Sequence, residues 1–389
     1  MVGLDPFRIN AEKIIEKAAK KAEYKGSLPL AEDGLRRMVS AINEEARPNS
    51  FGSLAVKKLL ERTLYGRYQI EQHLLKNPEI ERIAINQPVF IIGMPRTGTT
   101  ILHALLHEDI AHRSVLAWEC LLPYPPSTPE TFRDNEQLNT IRKEFGQLFK
   151  LVPDFLRKHY MAANSPQECL GIDALDFNTF QVSAQMYVPT YMEWVANGAD
   201  RLATMRFHKR FLQYLQSGGV VGDRWLLKSP VHLMRLPELF EVYPDAKIIM
   251  THRDPTNVVT SAASLISSVR SLYSDHEDPK RTGQEQLQTW SLYFKRFLES
   301  RQELKKEEQI IDLKFDDFAS DQVGIVKKIY ERFGWELSDI ALNHFKKFII
   351  QNPKDKNGVH YYTPGTFGLT NDQINQEFAS YNEFLSRLQ

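Results

Sequence analysis

Pro88-Val89-Phe90-Ile91-Ile92-Gly93-Met94-Pro95-Arg96-Thr97-Gly98-Thr99-Thr100 decides how the rest of the chain is read. A short apolar run, of a length that suits a buried strand, enters a turn bounded by two glycines, and a segment with helical spacing follows. Such a unit is a cradle for an anion. Gly93 and Gly98 let the backbone bend tightly and approach a phosphate, while the unpaired N–H groups of the helix's first turn point at it. The spacing of the two glycines equals that of the nucleotide-binding P-loop, yet Thr99 stands where that loop has its phosphate-binding lysine. Arg96 supplies a cation from inside the loop instead. This composition disfavours an ordinary ATPase or GTPase and leads us to expect another phosphate-bearing donor.

Beyond the loop, apolar runs at 225–227, 248–250 and 310–313 match the one at 89–92 in length, and helical patterns separate or follow them. The fold class expected is α/β, with a central parallel sheet flanked by helices. Helices are expected over 98–107, 255–269, 284–306, 323–333 and 371–388. Before the loop, residues 10–25 and 51–76 have helical spacing, with Leu54, Leu59, Leu60, Leu64 and Tyr68 tending to one side, and Asn77-Pro78 ends the second run. We therefore divide the chain into a helical extension at 1–86 and a nucleotide-binding domain at 87–389. The middle section, 116–219, is rich in aromatic residues and proline and is where acceptor specificity is expected.

Composition limits the partners. The 389 residues include 49 Lys and Arg against 49 Asp and Glu. With no net charge there is no general electrostatic attraction for nucleic acid, so a polyanion must be held locally, near Arg96, Lys228 and Arg253. Cys120 and Cys169 are the only cysteines, too few for a disulfide framework and without metal-ligand spacing. Charges run through the first 26 residues without an apolar stretch, so neither a signal peptide nor a transmembrane segment is expected, and the expected location is cytoplasmic.

The segment GMPRTGTT resembles the 5′-phosphosulfate loop of sulfotransferases that use 3′-phosphoadenosine-5′-phosphosulfate (PAPS). Two further blocks follow in that family's order. Leu227-Lys228-Ser229-Pro230-Val231-His232 comes first. Then Ala246-Lys247-Ile248-Ile249-Met250-Thr251-His252-Arg253-Asp254-Pro255, with Ser261 eight residues after the arginine, is similar to the family's 3′-phosphate site. The resemblance implies a P-loop-like fold and a donor held by Pro95, Arg96, Thr97, Gly98, Thr99 and Thr100 at one end and by Arg253 and Ser261 at the other. It also implies that Arg96 stabilises the bridging oxygen and leaving group, and Lys228 is a second positive charge for the transferred group. In-line transfer of this kind relies on positioning and charge, as phosphoryl transfer does, and needs no metal. The acceptor hydroxyl, on a small molecule or a lipid-like one, must lose its proton to a base. Glu119, in a Trp-Glu pair similar to that of the tyrosylprotein branch, is the first candidate; His232 is the second, because Lys228-Ser229-Pro230 departs from the Lys-Thr pattern of the branch that uses histidine. For Glu119 the competing reading is a capping or structural carboxylate.

Several signals carry less. His103, His107 and His112 lie on and after the loop helix but miss the HExxH zinc spacing, and core or surface positions account for them better. Tyr187, Tyr191 and Trp194 recur at helical spacing and are expected in the core. Gly358-Val359-His360-Tyr361-Tyr362 and Phe367-Gly368-Leu369 resemble a C-terminal signature of the bacterial and lipid-modifying sulfotransferases. The alternatives to transfer of a sulfuryl group are a P-loop kinase or NTPase, which Thr99 disfavours, and a nucleotide-binding protein without catalysis.

Overall fold

The computed structural model describes residues 8–151, 162–353 and 363–388. Five strands form one parallel sheet: β1 Val89–Ile92, β2 His112–Arg113, β3 Arg224–Lys228, β4 Lys247–His252 and β5 Ile310–Lys314. Their order is β2-β3-β1-β4-β5. Val89 faces Leu226 on one side and Lys247 on the other, so β1 lies at the centre. Four strands follow the apolar runs. β2 was not expected, because its two residues are polar and it exists only through pairing with Arg224 and Trp225.

Alternation along β1 builds both layers. Phe90 and Ile92 enter a core shared with Val258, Val259 and Ala263 of the helix Pro255–Tyr273 and with Phe294 and Phe297 of the helix Pro279–Leu304. Val89 and Ile91 point the other way, onto Leu102, Leu105 and Leu106 of α4 (Thr99–Leu106) and onto Val326, Ile329 and Phe345. The segment after β1 therefore covers one face and the segment after β4 the other. Where adjacent strands send their helices to opposite faces, a crevice opens outside the strands' carboxyl ends, and that is where such folds bind ligands.

The N-terminal region holds three helices, α1 Ala11–Ala22, α2 Pro29–Ala41 and α3 Ser50–Lys76. α3 starts where the Asn49 side chain accepts from the Gly52 N–H at 2.8 Å. Its inward face carries Val56, Leu60, Leu64 and Tyr68, whereas Leu54 is 70% exposed, a correction to the expected stripe. α2 was missed: its apolar residues contact a second core that includes Phe177 and Tyr191, a partner no local pattern announces. The last helix also differs, breaking at Phe378 into Asn371–Glu377 and Ala379–Arg387. Of the C-terminal signature, 358–362 lies outside the described residues, and Phe367 ends a short 3-10 turn against the core.

Candidate active site

The loop between β1 and α4 is built to close tolerances. A Cβ on Gly93 would lie 2.3 Å from the Thr251 hydroxyl oxygen, and one on Gly98, whose φ is +87°, would lie 2.9 Å from the Phe315 ring. Neither position accepts a side chain without displacing its neighbours. Arg96 also takes a left-handed conformation, with φ of 69°. Such a backbone turns successive N–H groups toward one concavity, an anion-binding arrangement. Thr97 pins the loop from beneath: its buried hydroxyl donates to the Met94 carbonyl at 2.7 Å and shares a 2.6 Å hydrogen bond with Thr251. That side chain is thus spent on shape, leaving its backbone for a ligand. Thr99 is buried at the helix start, Thr100 is exposed, and Pro95 is half-buried.

The structure brings the two expected anion sites into contact. Arg96 Nε donates to Ser261 Oγ at 3.0 Å, and Arg253 Nη1 donates to the Arg96 carbonyl at 2.9 Å. The Arg253 guanidinium also lies over the Phe315 ring, 4.1 Å from its centroid. Arg96 therefore bridges the loop and the end of β4. Asp254 caps the next helix, its side chain accepting from the Asn257 N–H at 3.0 Å.

Lys228 closes the other side. It ends β3, is almost fully buried, and donates from Nζ to Thr100 Oγ1 at 3.3 Å and to Glu168 Oε1. A buried ammonium needs such partners. Glu168 was missed in the sequence, where it stands 60 positions from Lys228 with no spacing that links them.

Glu119 and His232 are both enclosed in the protein. Glu119 is 1% exposed; one carboxylate oxygen accepts from Arg113 Nη2 and the other from the Leu116 N–H at 2.9 Å, capping α5, Ala117–Leu121. Arg113 is itself enclosed between the Phe132 and Trp225 rings. Both oxygens thus have partners within the protein, the bonding that the capping or structural reading of Glu119 calls for. His232 is fully buried, edge-on to Phe90. Burial, and then the neighbouring Arg235 guanidinium, push its pKa well below the ordinary histidine range.

Among the described residues, Cys169, His208 and His232 form a cluster whose potential ligand atoms lie within 4.8 Å of one another. Arg235 Nε donates to His232 Nδ1 at 3.2 Å, which puts the proton of the neutral ring on Nε2 and closes that nitrogen to a cation. His103 and His112 bond to the Leu226 and Leu106 carbonyls and are packed groups, as expected. Tyr191 is likewise core, its hydroxyl donating to the Phe177 carbonyl.

A sequence profile described as "Sulfotransferase family" matches residues 88–339, from the first residue of the loop segment to the helix Asp339–Gln351. The chain belongs to the sulfotransferase family. Relatives agree with this placement. The omega-hydroxy-beta-dihydromenaquinone-9 sulfotransferase Stf3 of Mycobacterium bovis is 25% identical over 304 residues, covering 73% of this chain and 72% of its own. The crystal structure of sulfotransferase STF9 from Mycobacterium avium superposes with a TM-score of 0.89 at 26% identity, over 98% of this chain and 97% of that one. STF1 from Mycobacterium tuberculosis gives 0.84 at 28% identity, over 96% and 99%. This sulfotransferase therefore shares its helical N-terminal region, as well as its sheet, with these two structures.

Proposed function

We propose that this sulfotransferase takes its sulfuryl group from PAPS and passes it to a hydroxyl on a lipid-like acceptor. The observation that carries the donor reading is the continuous cationic and N–H-lined strip from Lys228 through the glycine loop and Arg96 to Ser261 and Arg253. A donor with anionic groups at both ends suits it, and the cradle that an added Cβ would fill at Gly93 and Gly98 suits a phosphate. Bound there, PAPS supplies an activated sulfuryl group on a good leaving phosphate. The N–H groups of Thr99 and Thr100, at the start of α4, have no intrahelical partners and are set to hold the 5′ end. Lys228 faces the transferred group, Arg96 neutralises charge on the leaving side, and Arg253 with Ser261 holds the 3′-phosphate. A fixed guanidinium stays charged and reaches two oxygens, which favours Arg96 for its part.

The acceptor class follows from likeness and composition. The Mycobacterium bovis relative is named for a hydroxylated menaquinone, and the aromatic middle section offers apolar walls. No helix among the described residues is long and apolar enough to cross a membrane.

Calorimetric titration with adenosine 3′,5′-bisphosphate, and with ATP and magnesium, tests the donor. Tight binding of the bisphosphate and little of ATP is expected. Arg253→Ala should weaken the bisphosphate about 10- to 100-fold, the worth of a charge-assisted hydrogen bond. Preference for ATP with magnesium would support a kinase instead.

A further inference from the structure

Glu168 is placed by backbone on both sides. The Gln167 N–H donates to the Val115 carbonyl at 2.7 Å, and the Cys169 N–H donates to the Lys228 carbonyl at 2.9 Å. Its carboxylate is therefore delivered to the carboxyl end of β3 by the same strand that delivers Lys228. The side chain is 26% exposed, and Oε1 is bonded to Lys228 Nζ, whose other partner is Thr100 on the loop helix. Thus a carboxylate open to solvent stands beside the cation assigned to the transferred group. Glu119, by contrast, has both oxygens engaged inside the protein.

We propose that Glu168 is the base that takes the proton of the acceptor hydroxyl, an inference that rests on the PAPS reading above. A sulfuryl group at Lys228 competes with Glu168 for the ammonium and frees the carboxylate at the position the acceptor must reach. The acceptor oxygen then forms a bond to sulfur. The bond from sulfur to the 5′-phosphate oxygen breaks, its electron pair leaving on the bisphosphate, and the acceptor proton passes to a Glu168 oxygen. A base must lie within hydrogen-bonding reach of the oxygen it serves, and Glu168 meets this by adjoining the reacting centre.

Glu168→Gln keeps shape and hydrogen bonding while removing basicity. Two measurements separate the outcomes. Bisphosphate binding is read first by calorimetry in wild type and variant; if neither binds, the donor reading has failed and this one with it. Release of bisphosphate from PAPS is then followed with water and with hexan-1-ol, which must lose a proton, and with 4-nitrophenolate, which has none to lose. The variant is expected to bind the bisphosphate as wild type does, to lose about 10²-fold or more with water and the alcohol, and to lose little with the phenolate. An equal loss with all three would make Glu168 a positioning residue for Lys228 and overturn the proposal. No loss with water or the alcohol would overturn it as well.

Discussion

Arg113 and Glu119 form an ion pair that is almost wholly removed from water, with Arg113 5% and Glu119 1% exposed. Breaking such a pair is costlier than never having made it, because the surviving charge stays buried without a partner. Glu119→Gln should therefore cost about 3–5 kcal/mol of stability, read as a lower denaturant midpoint, while bisphosphate binding per folded molecule is kept. A variant of unchanged stability whose turnover fell about 10²-fold would return the base role to Glu119. The Trp-Glu pair marked a carboxylate at the right distance after the loop, and that much was legible. Its partner is Arg113, which belongs to β2, a strand of two polar residues that has no local signature. Glu168 was illegible for a similar reason, since only the fold joins it to Lys228. The loop residues, in contrast, were readable because their conformational demands are local, Gly93 and Gly98 above all.

At the level of elements, β4 and β5 are joined to the chain's last helices by a polar cluster at their carboxyl ends. The apolar runs predicted both strands, whereas the polar His252 meets partners that stand 60 and 129 positions further along the chain, Asp312 and Tyr381. His252 Nε2 donates to Asp312 Oδ1 at 2.8 Å, Arg301 donates to both Asp312 oxygens, and His252 Nδ1 lies 3.2 Å from the Tyr381 hydroxyl. Burial raises the Asp312 pKa, but hydrogen bonds from His252 and Arg301 outweigh it and hold the carboxyl down to about 2, against an ordinary 3.8. Between those values the unfolded chain binds the proton and the folded one does not. The contribution, about 2 kcal/mol, is therefore complete above about pH 4 and is lost as the pH falls toward 2. Urea midpoints taken from pH 5 to pH 2 should fall more steeply for the wild type than for Asp312→Asn. Parallel curves would show that the cluster contributes nothing to acid sensitivity.

For the whole molecule, the expected boundary near residue 86 is a boundary of sequence pattern, and the packing crosses it. Asn77-Pro78 does end α3, but Ile70, Leu74, Ile80 and Ile85 lie in the same core as Phe90 and Ile92. Which apolar stripe meets which sheet face is set by tertiary packing, so no composition shift could have shown it. Charge crosses the same line. Arg67 and Glu71 of α3 pair at 2.7 Å, Glu71 also meets Arg210 at 2.9 Å, and Arg67 lies 3.6 Å from Asp176. Burial lifts the Asp176 pKa to about 6 even with Arg67 beside it, so this carboxyl depends on α3 for what counter-charge it has. A fragment of residues 87–389 would expose the core beneath four apolar side chains, a loss of about 6–12 kcal/mol, and leave Asp176 and Arg210 without their partners. Stabilities of folded domains are about 5–15 kcal/mol, so that loss is of the size of the whole. The fragment is expected to lack a cooperative thermal transition and to show little near-ultraviolet circular dichroism, whereas the full chain shows both. A fragment that melts cooperatively near the full chain's midpoint would establish 87–389 as an independent domain and reduce the N-terminal helices to an accessory.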